Sequence, residues 1–181
     1  RDLVALVIAT SNKKTLKIYD YGSNTMPWSN IQNKIDIKNI SVKIFDPYSE
    51  KDYSSELDFG FPLSIVNKAC FEDISENDII ILGSSSQYIK NFYKSFFNKS
   101  HNLPNKILFT DTPFSLNQNL KEELVFPQVD KSNRKFNVYV RSFHELNSIL
   151  EKLGYKVIFK RPKKLAKHNV VARVDSDDKN H

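Results

Sequence analysis

Apolar residues along this chain gather in short runs, and the runs end in polar residues. Thr15-Leu-Lys-Ile-Tyr-Asp-Tyr-Gly22 closes on an acidic residue and a glycine, Ser41-Val-Lys-Ile-Phe-Asp46 on an aspartate, and Asp78-Ile-Ile-Ile-Leu-Gly-Ser84 on a serine cluster. Each reads as a strand, and the unbroken aliphatic run from Ile79 to Leu82 is the pattern of a strand covered on both faces. Lys106-Ile-Leu-Phe-Thr110 is a further strand, and a weaker one is expected ahead of Phe71.

Helical patterns lie between these strands. Leu3, Val4, Leu6, Val7 and Ile8 form an apolar face that the polar Ser11-Asn-Lys-Lys14 ends, and a polar helix is expected near residues 28–36. Tyr48 to Leu57 admits a helix, and Asp58-Phe-Gly-Phe-Pro62 breaks any regular pattern. From Gln87 to Phe97 the residues Tyr88, Phe92, Phe96 and Ile89, Tyr93, Phe97 recur at helical spacing, which places Tyr88 in the core. The long polar segment 111–134 reads as an active-site loop or insertion. Ser142 with Glu145 three residues on is an N-cap, Leu146, Ile149, Leu150 and Leu153 form a buried stripe, and Gly154 stops the helix.

Tyr155-Lys-Val-Ile-Phe159 and His168-Asn-Val-Val-Ala-Arg-Val174 read as the last strands. Their link through Pro162 is too short for a crossover helix, so they are expected to pair antiparallel, whereas the strand-helix-strand unit over residues 16–45 favours parallel pairing. The expected fold class is α/β, a Rossmann-like three-layer sandwich with a mostly parallel seven-stranded sheet ending in an antiparallel pair. Residues 1–181 are expected to form a single domain, with 175–181 a disordered tail. Arg1 is not a natural start, so further chain is expected upstream.

Composition narrows the chemistry. The net charge of +6, from 27 Lys and Arg against 21 acidic residues, attracts anions only modestly. The basic residues are dispersed except for Lys160-Arg-Pro-Lys-Lys164 and Lys167, a solvated run rather than a nucleic-acid signature. Cys70 is the single cysteine, which excludes intramolecular disulfides and cysteine-based zinc sites and favours a reducing, cytoplasmic setting. The longest apolar run, Leu3 to Ala9, is too short to span a membrane. No Gly-x-x-x-x-Gly-Lys loop, Gly-x-Ser-x-Gly elbow or His-Glu-x-x-His helix occurs, and the four histidines are scattered singly, so no spacing demands a metal.

Three buried strands with polar groups at their carboxyl ends point to one cleft, the place where open α/β sheets bind ligands. The order of elements resembles that of class I S-adenosylmethionine-dependent methyltransferases. More specifically, Ile80-Ile-Leu-Gly-Ser-Ser-Ser-Gln-Tyr-Ile89, Lys106-Ile-Leu-Phe-Thr-Asp-Thr-Pro-Phe114, Val125-Phe-Pro-Gln128 and Asn137-Val-Tyr-Val-Arg-Ser-Phe-His-Glu-Leu146 with Leu153-Gly-Tyr155 resemble successive blocks of a family of methyltransferases found among bacterial surface-polysaccharide genes. The resemblance covers roughly residues 15–175. It departs at the first loop, where family members carry two or three glycines; here Asp20-Tyr-Gly22-Ser-Asn-Thr has Asn24 in place of one, and Asn is the residue after glycine that best tolerates a left-handed conformation.

The resemblance implies S-adenosylmethionine as cofactor and a small-molecule or saccharide acceptor, with no nucleic acid and no membrane insertion. It implies that Asp20, Gly22 and Asn24 flank the methionine portion of the cofactor. Asp46 then accepts the ribose hydroxyls, and Phe71, Glu72 and Asp73 meet the adenine. Ser84, Ser85 and Gln87 face the methyl group. Asp111 and Thr112 orient the acceptor hydroxyl or take its proton, with His144 the other ionisable candidate for that task. Gln128 and Tyr139 line the acceptor pocket, and Trp28 either covers the cofactor or anchors the first helix. Two other readings stand beside this one: a non-catalytic methyltransferase-like domain that binds a partner or regulates a larger enzyme, and a nucleotide-sugar enzyme on a similar sheet.

Overall fold

The computed structural model describes residues 2–11, 13–22, 28, 31, 39–46, 53–55, 60–67, 78–83, 85–99, 103–130 and 132–158. The chain divides into two compact units, one of residues 1–86 with 94–112 and the other of residues 87–93 with 113–181.

The first unit opens with α1 (Asp2–Ala9) and holds β1 (Leu16–Tyr21), β2 (Ile40–Phe45), β3 (Tyr53–Ser55), β4 (Leu63–Val66), β5 (Ile79–Gly83) and β6 (Lys106–Thr110). They form one six-stranded sheet in the order β3-β4-β2-β1-β5-β6. β4, β2, β1, β5 and β6 run parallel, and β3 is an antiparallel edge strand. The sheet therefore has five parallel strands where the sequence reading expected a mostly parallel seven. The expected α/β class and parallel core stand. β3 also replaces helix over residues 53–55: Tyr53, Ser54 and Ser55 pair with Ile65, Ser64 and Leu63.

The parallel strands read as apolar because both faces of the sheet are covered. Ile18 lies in register between Val42 and Ile79, and Asp20 between Ile44 and Ile81. On that face Ile18, Val42, Ile44, Ile79 and Ile81 join Leu16, Leu63 and Leu108, with Val4 and Ile8 of α1 and with Trp28, Ile31 and Phe61, in one apolar cluster. On the other face Tyr19, Tyr21, Ile80 and Leu82 are also buried. At the amino end Asp78 ties the strands: its carboxylate pairs with Lys13 and accepts the Lys17 backbone N–H at 3.1 Å, and its own N–H donates to the Lys17 carbonyl at 2.8 Å.

The helix expected over residues 87–97 is interrupted. Ser86–Tyr88 make a single 3-10 turn, Asn91 takes a φ of 53°, and α2 spans Phe92–Lys99. Phe92, Tyr93, Phe96 and Phe97 keep the buried stripe, but Tyr88 lies ahead of the break and is 47% exposed, not core.

The second unit contains β7 (Phe114–Ser115), β8 (Leu124–Val129), β9 (Lys135–Ser142) and α3 (Phe143–Lys152). Its sheet has the order β7-β9-β8, with β8 and β9 an antiparallel hairpin. The segment read as a polar loop thus carries two strands. Asp130 shapes the hairpin turn, accepting the backbone N–H groups of Ser132 and Arg134 and the Arg134 guanidinium at 2.6–2.9 Å. α3 starts as expected, with Ser142 Oγ accepting the Glu145 N–H at 3.3 Å. Gly154 follows its C-terminus at φ 83°. Leu146 and Leu150 are buried, while Leu153 is exposed rather than part of the stripe. Residues 155–158 form no strand, so the first of the two expected terminal strands is not formed over these positions. The second, 168–174, lies outside the described residues, as does the 175–181 tail. No helix among the described residues is long and apolar enough to cross a membrane.

Candidate functional site

Among the parallel strands the chain moves outward from β1 through β2 to β4, then returns to the other side of β1 as β5 and continues to β6. That reversal is a topological switch point between β1 and β5, and ligands of open α/β sheets bind at the carboxyl edge beside such a point. The residues at this edge are Tyr21-Gly22, Phe45-Asp46, Val66-Asn67, Gly83, Ser85 and Thr110-Asp111-Thr112.

Gly22 is the centre of the arrangement. Its N–H extends the β1 to β2 ladder by one step, donating to the Phe45 carbonyl at 2.8 Å, and the chain then turns at φ 78°. A side chain at this position would be strained by that φ and would collide with Ser85, whose Cβ lies 2.0 Å from where a Cβ would stand. Ser85 Oγ donates to the Tyr21 carbonyl at 2.6 Å. Asp46 sits on the opposite side of Gly22, one step beyond the Tyr21 to Phe45 register pair, and its own N–H donates to the Val66 carbonyl at 2.9 Å. Gly22, Asp46 and Ser85 are therefore brought together at the carboxyl edge.

Asp20 shares the strand but not the edge. Its side chain is 3% exposed on the α1 face, where Oδ2 accepts the indole N–H of Trp28 at 2.8 Å. Of the two roles open to Trp28, anchoring is the one its burial supports: it is 1% exposed and packs edge-on against Phe61, ring centroids 6.0 Å apart. On the far side of β5, Thr112 Oγ1 lies 3.3 Å from the Leu82 carbonyl and 3.1 Å from that of Thr110, positioned to donate to them. Asp111 is exposed at φ 50°, a left-handed conformation that Asp tolerates better than most residues. Gly83 admits the Thr110 hydroxyl, which would stand 2.8 Å from a Cβ there. Thr110 is a rim residue that the sequence reading did not single out.

The electrostatics of this edge are one-sided. Among the described residues that close or directly follow the parallel strands there are two exposed or half-buried carboxylates, Asp46 and Asp111, and no lysine or arginine. The lysines Lys13, Lys17 and Lys106 gather at the amino end. No group of three or more His, Cys, Asp or Glu side chains among the described residues is arranged to hold a metal.

Other expected site residues belong to the second unit. Gln87 lies in the 3-10 turn, half-buried, with Oε1 sequestered and no hydrogen-bond partner among the described residues. Gln128 pairs with Phe136 and Tyr139 with Val125, so the two side chains point to opposite faces of the hairpin and do not line one pocket. His144 is exposed in the first turn of α3. Asn24, Phe71, Glu72, Asp73 and Ser84 lie outside the described residues. This unit also holds a buried polar centre that the sequence did not reveal. Arg141, 4% exposed, donates Nε–H to Glu123 at 2.5 Å and a terminal N–H to the Ile89 carbonyl, with its guanidinium 5.1 Å from the Tyr93 ring.

No protein-family model matches the chain, and no curated protein matches it. Among solved structures it is similar to the O-methyltransferase from the trans-AT PKS multienzyme of Brevibacillus brevis, crystallised in complex with S-adenosyl-L-homocysteine. The identity is 16% over 83% of this chain, with a TM-score of 0.49. The chain spans about half of that protein's length, 50%.

Proposed function

We propose that the protein binds S-adenosylmethionine at the carboxyl edge of its parallel sheet and transfers the methyl group to a small-molecule acceptor. The observation that carries this reading is the Gly22, Asp46 and Ser85 grouping at the switch point, with two carboxylates and, among the described residues, no cation at the strand ends. A dinucleotide or nucleoside phosphate calls for a glycine-rich turn and positive charge, whereas a ligand with a cationic sulfonium and ammonium suits an acidic rim. Asp46 provides two acceptor oxygens for a pair of ribose hydroxyls, and Gly22 lets the chain turn at positive φ at the end of β1 while Ser85 packs against it. Both features suit the cofactor.

When bound, S-adenosylmethionine supplies an electrophilic methyl carbon. The task left to the chain is to orient an acceptor oxygen in line with it, and orientation is a large part of the barrier in such reactions. In this reading Asp111, exposed at the rim, orders the acceptor hydroxyl or takes its proton. Thr112, with its hydroxyl turned to strand carbonyls, contributes to the shape of the rim. A saccharide acceptor of the surface-polysaccharide kind is supported by the resemblance of the blocks around Gln87, Pro113 and Gln128.

The test is isothermal titration of the purified protein with S-adenosylhomocysteine, with Asp46→Ala as control. Binding that the variant weakens about tenfold or more supports the reading, since two hydrogen bonds to ribose are lost. No binding in a folded sample decides for the second reading, a non-catalytic methyltransferase-like domain, which the single glycine of the first loop favours.

A further inference from the structure

We propose that Ser85 is a positioning residue: it fixes the Tyr21 to Gly22 peptide plane so that the turn at Gly22 presents its backbone to the ligand, without itself donating to that ligand. The ligand's identity rests on the methyl-transfer reading above; the positioning rests on geometry. One peptide group is held from both flanks. Its N–H, on Gly22, donates to Phe45 of β2 at 2.8 Å, and its C=O, on Tyr21, accepts the Ser85 hydroxyl from the end of β5 at 2.6 Å.

With the plane held, the chain leaves β1 at φ 78°, and Ser85 Cβ fills the space beside the Gly22 Cα. A serine hydroxyl has one proton. Here it is committed to Tyr21, so Ser85 can offer a ligand only lone pairs. Thr112 makes a longer version of the same contact across β5, at 3.3 Å to Leu82, the register partner of Tyr21. The hydroxyls at this rim thus stitch the strand ends of the switch point, and direct recognition is left to Asp46 and to backbone.

Two measurements on the full chain test this, with Ser85→Ala, which keeps the Cβ and removes the bond, and Ser85→Thr, which keeps the hydroxyl. Amide hydrogen exchange at Gly22 is read without ligand, and S-adenosylhomocysteine affinity by titration. Ser85→Ala is expected to speed exchange at Gly22 and to weaken binding, each about tenfold, with a small change in Tm, and Ser85→Thr to restore both. Unchanged exchange in Ser85→Ala overturns the positioning. Faster exchange with unchanged affinity also overturns it, because the bond would then be structural only. If exchange responds but wild type and variants alike bind no S-adenosylhomocysteine, the pin on Gly22 is supported and the methyl-transfer reading falls.

Discussion

The Asp20 carboxylate, buried in the middle of the parallel sheet, accepts the indole N–H of Trp28 at 2.8 Å. The bond joins the end of β1 to a residue eight positions on, within the apolar cluster. Asp20 is therefore engaged by Trp28 in the sheet interior rather than presenting its side chain at the carboxyl edge. Asp20→Ala is expected to destabilise the protein by about 2–3 kcal/mol, since a charge-assisted bond is lost and a buried donor is left unpaired. Asp20→Asn, which keeps an acceptor, loses about 1 kcal/mol. Trp28 is the only tryptophan, so its fluorescence in urea titrations measures both effects directly at the site.

Gly22→Ala combines two penalties, a β-carbon at positive φ and a collision with Ser85. A loss of about 2–3 kcal/mol is expected. Adding Ser85→Gly removes the collision and leaves the backbone strain and the lost bond to Tyr21, a loss the Ser85→Gly single carries as well, so the double variant should be more stable than the sum of the singles predicts. Strict additivity in denaturant titrations would show that the two residues do not meet.

The legible parts of this chain are those specified by residues close together in sequence. The aliphatic run Ile79 to Leu82, the strand ends at Asp46 and Ser85, the Ser142 cap and the Gly154 stop each depend on neighbours within a few positions, and each is formed. The hairpin was hidden because β8 contains Pro127 and alternates half-buried with exposed positions, so it reads as loop until β9 pairs with it. Tyr88 followed the helical spacing of its neighbours, yet Asn91 breaks the helix between them at φ 53°. Glu123 and Arg141 are 18 residues apart, and no local pattern announces their pairing.

Asp78 carries a testable pH dependence. Burial alone would raise its carboxyl, but hydrogen bonds from the Lys13 ammonium and the Lys17 backbone N–H outweigh that and hold it below the ordinary carboxylate range. A carboxylate depressed by folding stabilises the folded state above its unfolded value and loses that contribution as pH falls through its folded value. Asp78→Asn should therefore lower stability by about 1 kcal/mol near pH 7, a modest figure because Lys13 is half exposed and screened by solvent. The gap should begin to narrow as pH falls through the ordinary aspartate range, about pH 4, and close only below the lowered value that Asp78 has in the folded protein. Denaturation midpoints at pH 7, 5 and 3 measure it. A constant gap across that range would remove Asp78 as its source.

Arg141 and Glu123 make the strongest case for a stability contribution that is not hydrophobic. Their side chains are 5% and 15% exposed, and Glu123 also accepts the Asn91 backbone N–H at 3.0 Å, at the start of α2. Arg141→Met strands a nearly buried carboxylate and is expected to cost about 3–5 kcal/mol. Glu123→Gln keeps an acceptor for Asn91 but removes the charge facing Arg141, and a loss of about 2 kcal/mol follows. In the double variant neither charge is left alone, so its stability should exceed the sum of the two losses by about 1–3 kcal/mol. Recovery should stay incomplete, because the capping of Asn91 by a full carboxylate is still missing. A double-mutant cycle with zero coupling would mean that the two charges are each satisfied by solvent, contrary to their burial.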